Sequence, residues 1–198
     1  MAYTSCAGNL AQNIAMECDN PLIGGYTGRA VLIQWKDAPT IVKDAQNPRI
    51  VRSITLGTNV KSVAIDNVFT NPFDGANTAS SADSGRTMYT KQLMVRIPLR
   101  GAGASRDVVE PLQTSAGGFL LIVEKKDKKG DGAFEVLGLY DPMKASADGI
   151  ARNENENGGD ITATLQCVEP YFECTLSSTG DDYEDTKAMF ETLLNASF

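Results

Sequence analysis

The sequence contains no histidine. Its absence removes the commonest general acid–base side chain and the commonest metal ligand, and it excludes Ser/His and Cys/His nucleophilic arrangements. Long apolar runs are missing too: no stretch of about 18 or more apolar residues occurs, so no transmembrane helix and no membrane partner are expected. Met1 to Cys18 lack a basic start followed by an apolar block, and no secretory leader is expected there. Tryptophan occurs once, at Trp35. The four cysteines, Cys6, Cys18, Cys167 and Cys174, are spaced too widely within each pair for a structural zinc site. They read as small buried hydrophobes.

What is present is globular. The chain has 198 residues, 42% hydrophobic and 22% charged, enough for one domain with a sizeable core. The net charge of −7 is unevenly placed. Residues 1–100 carry 10 Lys+Arg against 7 Asp+Glu, and residues 101–198 carry 8 against 18. An acidic total opposes sequence-independent DNA binding. The asymmetry has two readings: unevenly scattered solvated charge, or one part of a protomer attracting the opposite part of a neighbour.

Strand patterns dominate. Residues 1–25 read as an arm with a short helix over Asn9 to Met16, closed by the turn residues Asp19-Asn20-Pro21 and Gly24-Gly25. Residues 26–198 read as a single β-rich body. Arg29 to Trp35 is a β-branched apolar run, and Ile50 to Leu56 with Val60 to Phe69 suggest a hairpin around a glycine turn. In Gln92 to Leu99, Leu93, Val95, Ile97 and Leu99 share one face. Phe119 to Glu124 and Ala133 to Tyr140 flank the charged tip Lys125 to Gly132, a second hairpin. Ile161 to Val168 places Ile161, Ala163, Leu165 and Cys167 on one face, and Glu169-Pro170 should end it. Asp181 to Asn195 is the best helix, acidic in its first turn and with an apolar stripe of Tyr183, Phe190, Leu193 and Leu194. Ser105 to Thr114 suggests one or two further helical turns.

Thr70 to Thr87, rich in Asn, Ser, Ala and Gly, reads as a long loop. Its one large apolar residue, Phe73, is either an anchor for a neighbour or a residue folded back on its own domain. The expected fold class is therefore mainly β, a β-sandwich or small barrel with a C-terminal helix and a short N-terminal helical arm.

Catalytic templates fail on residue type or spacing, and no cofactor is implied. Gly101-Ala102-Gly103 lacks the third glycine of a dinucleotide loop. Asp127 to Gly132 is not an EF-hand, because lysine stands at the third position and Gly138 where the bidentate acid belongs. Asn153 to Asp160 reads as a solvated turn rather than a cation site, and Glu169 with Glu173 as two solvated carboxylates rather than an acid–base pair. Asn195-Ala-Ser197 fits a glycosylation acceptor but carries no weight without an export signal. The expectation is a protein that is not an enzyme.

The stretches Gly132 to Leu139 (GAFEVLGL) and Asn153 to Glu173 (NENENGGDITATLQCVEPYFE) resemble the C-terminal half of tail-tube-like and ring proteins of tailed bacteriophages. The opening Met1 to Leu32 is similar in style to virion proteins of gut Bacteroidales phages, including the crAss-like group. The resemblance implies a structural protein of the virion, assembled in the host cytoplasm. It would form a hexameric or dodecameric ring of the tail tube or head–tail connector with itself and other virion proteins. DNA would pass nearby without specific binding, and an acidic lumen would keep it from sticking. The arm, the 70–87 loop and the hairpin tip become candidate oligomer contacts, with Phe73, Asp74, Lys125, Lys126, Asp127, Lys128 and Lys129 as the residues to watch. A capsid decoration protein or a carbohydrate-binding β-sandwich module are the alternatives.

Overall fold

Alternating burial along the strands builds two sheets packed face to face in a computed structural model, which describes residues 25–37, 39–66, 73–83, 86–97, 105–115, 117–128, 130–152 and 161–196. The strands are β1 (Tyr26–Gln34), β2 (Thr40–Lys43), β3 (Ile50–Thr55), β4 (Val63–Asp66), β5 (Phe73–Asp83), β6 (Arg86–Ile97), β7 (Phe119–Lys125), β8 (Phe134–Leu137), β9 (Lys144–Arg152), β10 (Ile161–Glu169) and β11 (Thr175–Leu176). A seven-stranded sheet runs β2-β3-β11-β8-β7-β1-β4, and a four-stranded sheet runs β5-β6-β10-β9. The chain is mainly β and sandwich-like. The expected N-terminal helix, with Cys6 and Cys18, and the 153–160 turn lie outside the described residues.

β7 is central in the larger sheet and buried on both faces, so it reads as the continuous apolar run Phe119–Val123. Phe119, Leu121 and Val123 meet Leu93, Val95, Ala163 and Leu165 of the smaller sheet, while Leu120 and Ile122 face the other way. That second face is covered by the helix α2 (Tyr183–Asn195), through Phe190, Leu193 and Leu194. Complete burial of Phe190 contributes about 1.5–3 kcal/mol. Asp182 caps the helix by accepting from the backbone N–H groups of Glu184 and Asp185. A short helix, α1 (Glu110–Thr114), follows a wider π-type turn at Ser105–Val109.

The charged hairpin appears as read, with Leu121 opposite Leu137 and Glu124 opposite Phe134. Two expectations are corrected. Ile50 to Leu56 and Val60 to Phe69 do not pair with each other. β3 lies between β2 and β11, and β4 runs antiparallel to β1, with Val63 opposite Leu32 and Ile65 opposite Ala30. Pairing on β1 lets Val63 and Ile65 pack against the inter-sheet core, which a local hairpin would not.

The second correction concerns Thr70 to Thr87. Its described residues are strand: β5 pairs with β6 from Phe73↔Val95 to Asp83↔Arg86, with a bulge between Phe73 and Ala76. The ladder bonds are made by the backbone, so an edge strand needs no apolar alternation of its own. Ala79, Ser80 and Ser81 accordingly lie exposed.

Candidate interaction surface and the charge network beneath it

Glu169 to Cys174 carries the chain from the end of β10 in the smaller sheet to β11 in the larger one. Glu169 and Glu173 join an ionic network, and Tyr171 and Phe172 between them carry aromatic rings.

The network begins with Lys91. The period of β6 points it inward beside Leu93, directly across the ladder from Cys167, and it is 1% exposed. A lysine there requires a partner, and Glu169, wholly buried, supplies one: Lys91 Nζ donates to Glu169 Oε2 at 2.6 Å. The other carboxylate oxygen accepts from the backbone N–H groups of Leu139 and Tyr140 at 2.6 and 3.2 Å. One carboxylate thus joins β6, β10 and the turn after β8.

Alongside, Lys125 Nζ donates to Glu173 and stands 3.8 Å from Glu135 Oε2, which also accepts from the Tyr26 hydroxyl at 2.9 Å. Burial pushes the Glu135 carboxyl above its ordinary range, against the pull of Lys125. Burial and the neighbouring Glu135 carboxylate drive the Tyr26 hydroxyl upward. On the opposite face of the sheet, buried Glu124 accepts from Tyr183 Oη at 2.8 Å and Thr27 Oγ1 at 2.9 Å, with Arg29 at 3.7 Å. Among the described residues, no buried side-chain polar atom lacks a partner.

Glu169 and Glu173 are therefore not two solvated carboxylates: Glu169 is closed to water, and Glu173 is occupied by Lys125. The thiols are held in their protonated forms. Burial pushes Cys167 up to about 12 and Cys174 up to about 11, values at which neither is a nucleophile near neutrality.

Outside, Tyr171 meets Tyr140 edge-on, with ring centres 5.4 Å apart. Tyr140 donates its hydroxyl to the Pro48 carbonyl at 2.7 Å. Lys43 Nζ sits 3.7 Å above the Tyr140 ring, and the Arg49 guanidinium 4.9 Å above Tyr171. Phe172 is 59% exposed and touches the edge of Tyr89 at 5.7 Å. Both cations bear on Cys174, where they oppose the upward push of burial. Neither forms a salt bridge among the described residues. The patch can hold an acidic or aromatic group.

The residues singled out from sequence fall differently. Phe73 is buried, edge-on to Tyr26 at 5.6 Å, so of its two readings the one folded back on its own domain is seen. Asp74 lies in β5, in the bulged stretch. Lys125 is engaged by Glu173, Lys126 is exposed, Asp127 is half-buried, and Lys128 lies 5.5 Å above the Tyr183 ring. Lys129 lies outside the described residues. Trp35 donates its indole N–H to the Gly138 carbonyl at 2.8 Å and packs on the helix-side core. A cleft of about 340 Å³ between Gln34, Lys36, Pro111, Thr114, Ser115 and Gly117 has no carboxylate or thiol on its walls. No group of three or more His, Cys, Asp or Glu side chains able to hold a metal occurs among the described residues.

Sequence reasoning missed the patch and Lys91. The available signal was Pro170-Tyr171-Phe172, two aromatics immediately after a strand-ending proline. No protein-family model, curated protein or solved structure matches the chain.

Proposed function

We propose that this chain is a structural subunit that works by assembly, forming an oligomeric ring of the tail tube or head–tail connector of a tailed-phage virion. In this reading it performs no turnover, and its ionisable interior groups serve stability. The supporting observation is the four-stranded sheet, whose outer strands β5 and β9, 11 and 9 residues long, each pair on one side only among the described strands. Unpaired strand edges of this length are templates for a neighbouring chain. The excess of acidic residues suits a ring through which DNA slides without sticking.

Sedimentation velocity with negative-stain imaging tests the reading. Closed rings whose population rises with protomer concentration are expected. A monomer at every concentration, in low and high salt alike, overturns it. Trimers that bind a preformed shell without making rings would favour a capsid decoration protein. The exposed rings of Phe172 and Tyr140 give the carbohydrate-binding reading a surface that Trp35 does not; glycan binding abolished by Phe172→Ala would favour it.

A further inference from the structure

Lys43 and Arg49 cap the Tyr140 and Tyr171 rings with positive charge, on a chain whose net charge is −7. A lysine or arginine held over an aromatic face is positioned to receive a carboxylate on its outer side while the ring supports it from within. Phe172, next to Tyr171 in the chain and 59% exposed, supplies an apolar contact of the kind such a site needs. The site fits an acidic, helical or extended segment.

The same chain offers one. The first turn of α2 presents Asp182, Glu184 and Asp185 to solvent. Asp182 is occupied as the cap, and Glu184, 75% exposed, has Lys187 at 3.6 Å. Asp185 forms no salt bridge among the described residues. The first turn thus has Asp185 to give, and the patch has two cations without a carboxylate among the described residues.

We propose that the aromatic–cationic patch of one protomer receives the acidic start of α2 from a second copy of this chain. The inference rests on the assembly reading above and says which surfaces meet. Each protomer offers both halves, and where the contact repeats from one protomer to the next it closes a ring.

The test uses two charge-reversed variants, Lys43→Glu with Arg49→Glu, and Glu184→Lys with Asp185→Lys. Circular dichroism melting checks that each is folded. Each alone places like charges across the contact, and its half-assembly concentration should rise about tenfold or more over wild type at low salt. An equal mixture of the two should recover assembly, because the reversed patch meets the reversed helix and the native patch meets the native helix. Wild type that never assembles sinks the assembly reading itself. Wild type that assembles while both variants match it leaves that reading standing and overturns this contact. Variants that weaken assembly without recovery on mixing also overturn it, because the patch then serves a different occupant. Phe172→Ala, which removes no charge, should weaken wild-type assembly and the mixed assembly alike.

Discussion

Lys91 is buried because β6 alternates, and Glu169 arrives from β10 to pair with it. Removing one partner of a buried pair leaves the other charge uncompensated, which costs about 3–5 kcal/mol. Urea unfolding of Lys91→Met should show a loss of that size; a loss below about 1 kcal/mol would mean that water reaches Glu169. Glu135 gives a pH signature. Its carboxyl, raised by burial above the ordinary value of 4.5, binds its proton more tightly folded than unfolded. Its stabilising contribution is complete below that ordinary value and is lost as pH rises through the folded one. Glu135→Gln keeps an acceptor for Tyr26 and removes the titration. The variant should therefore lose less stability than wild type on going from acid to neutral pH, measured as denaturation midpoints; parallel pH profiles would refute the assignment. The Lys91–Glu169 pair was not legible in the sequence. A lysine in a strand and a glutamate before a proline both default to solvent, and only the register that sets β6 against β10 shows that they face each other.

At the scale of elements, the turn after β8 depends on Gly138. Its φ is +82°, and a Cβ there would meet the Phe119 carbonyl oxygen at 2.5 Å and the Met143 nitrogen at 2.9 Å. Those two atoms are bonded to each other in the bridge that pins Met143 against the start of β7. Gly138→Ala adds left-handed strain to a collision with backbone and should cost about 3 kcal/mol or more. Gly132→Ala, where a Cβ meets nothing within 4 Å, is the control and should melt like wild type. A Gly138→Ala protein with an unchanged melting temperature would show that this turn relaxes freely.

Legibility of the elements followed apolar content. β7, β8, β10, the Leu93–Ile97 face of β6 and α2 were all readable, because each buries a face against something and so carries the matching period. β5 was not. Its FDGANTASSAD sequence has one large apolar residue, and its strand state comes from a ladder to β6 rather than from side-chain burial. β4 was found but given the wrong neighbour, since Val63 and Ile65 satisfy the strand pattern equally well beside β3 or β1. The contact patch draws Lys43, Arg49, Tyr140 and Tyr171 from three separate stretches of chain. No local pattern could announce their convergence.

For the whole molecule, the layering of helix, seven-stranded sheet and four-stranded sheet gives two cores that share β1 and β7. Protection should be greatest there. The β2–β3 pair, by contrast, joins the larger sheet through β11 alone among the described strands, and β11 contributes two residues: Thr175 beside Ile50 and Leu176 beside Val51. Native-state hydrogen exchange should therefore find the amides of β2 and β3 opening at lower free energy than those of β7. Equal protection would indicate a single cooperative unit.

That two-residue strand also sets a timetable. On the ribosome, residues 40–55 emerge before Thr175–Leu176, the strand that bounds the slot they occupy. Until position 176 leaves the exit tunnel, β3 has no partner on its inner side and Val51 has no Leu176 to lie beside. The larger sheet is finished from its latest-made strand outward, and a nascent chain stalled before that point carries an open strand edge.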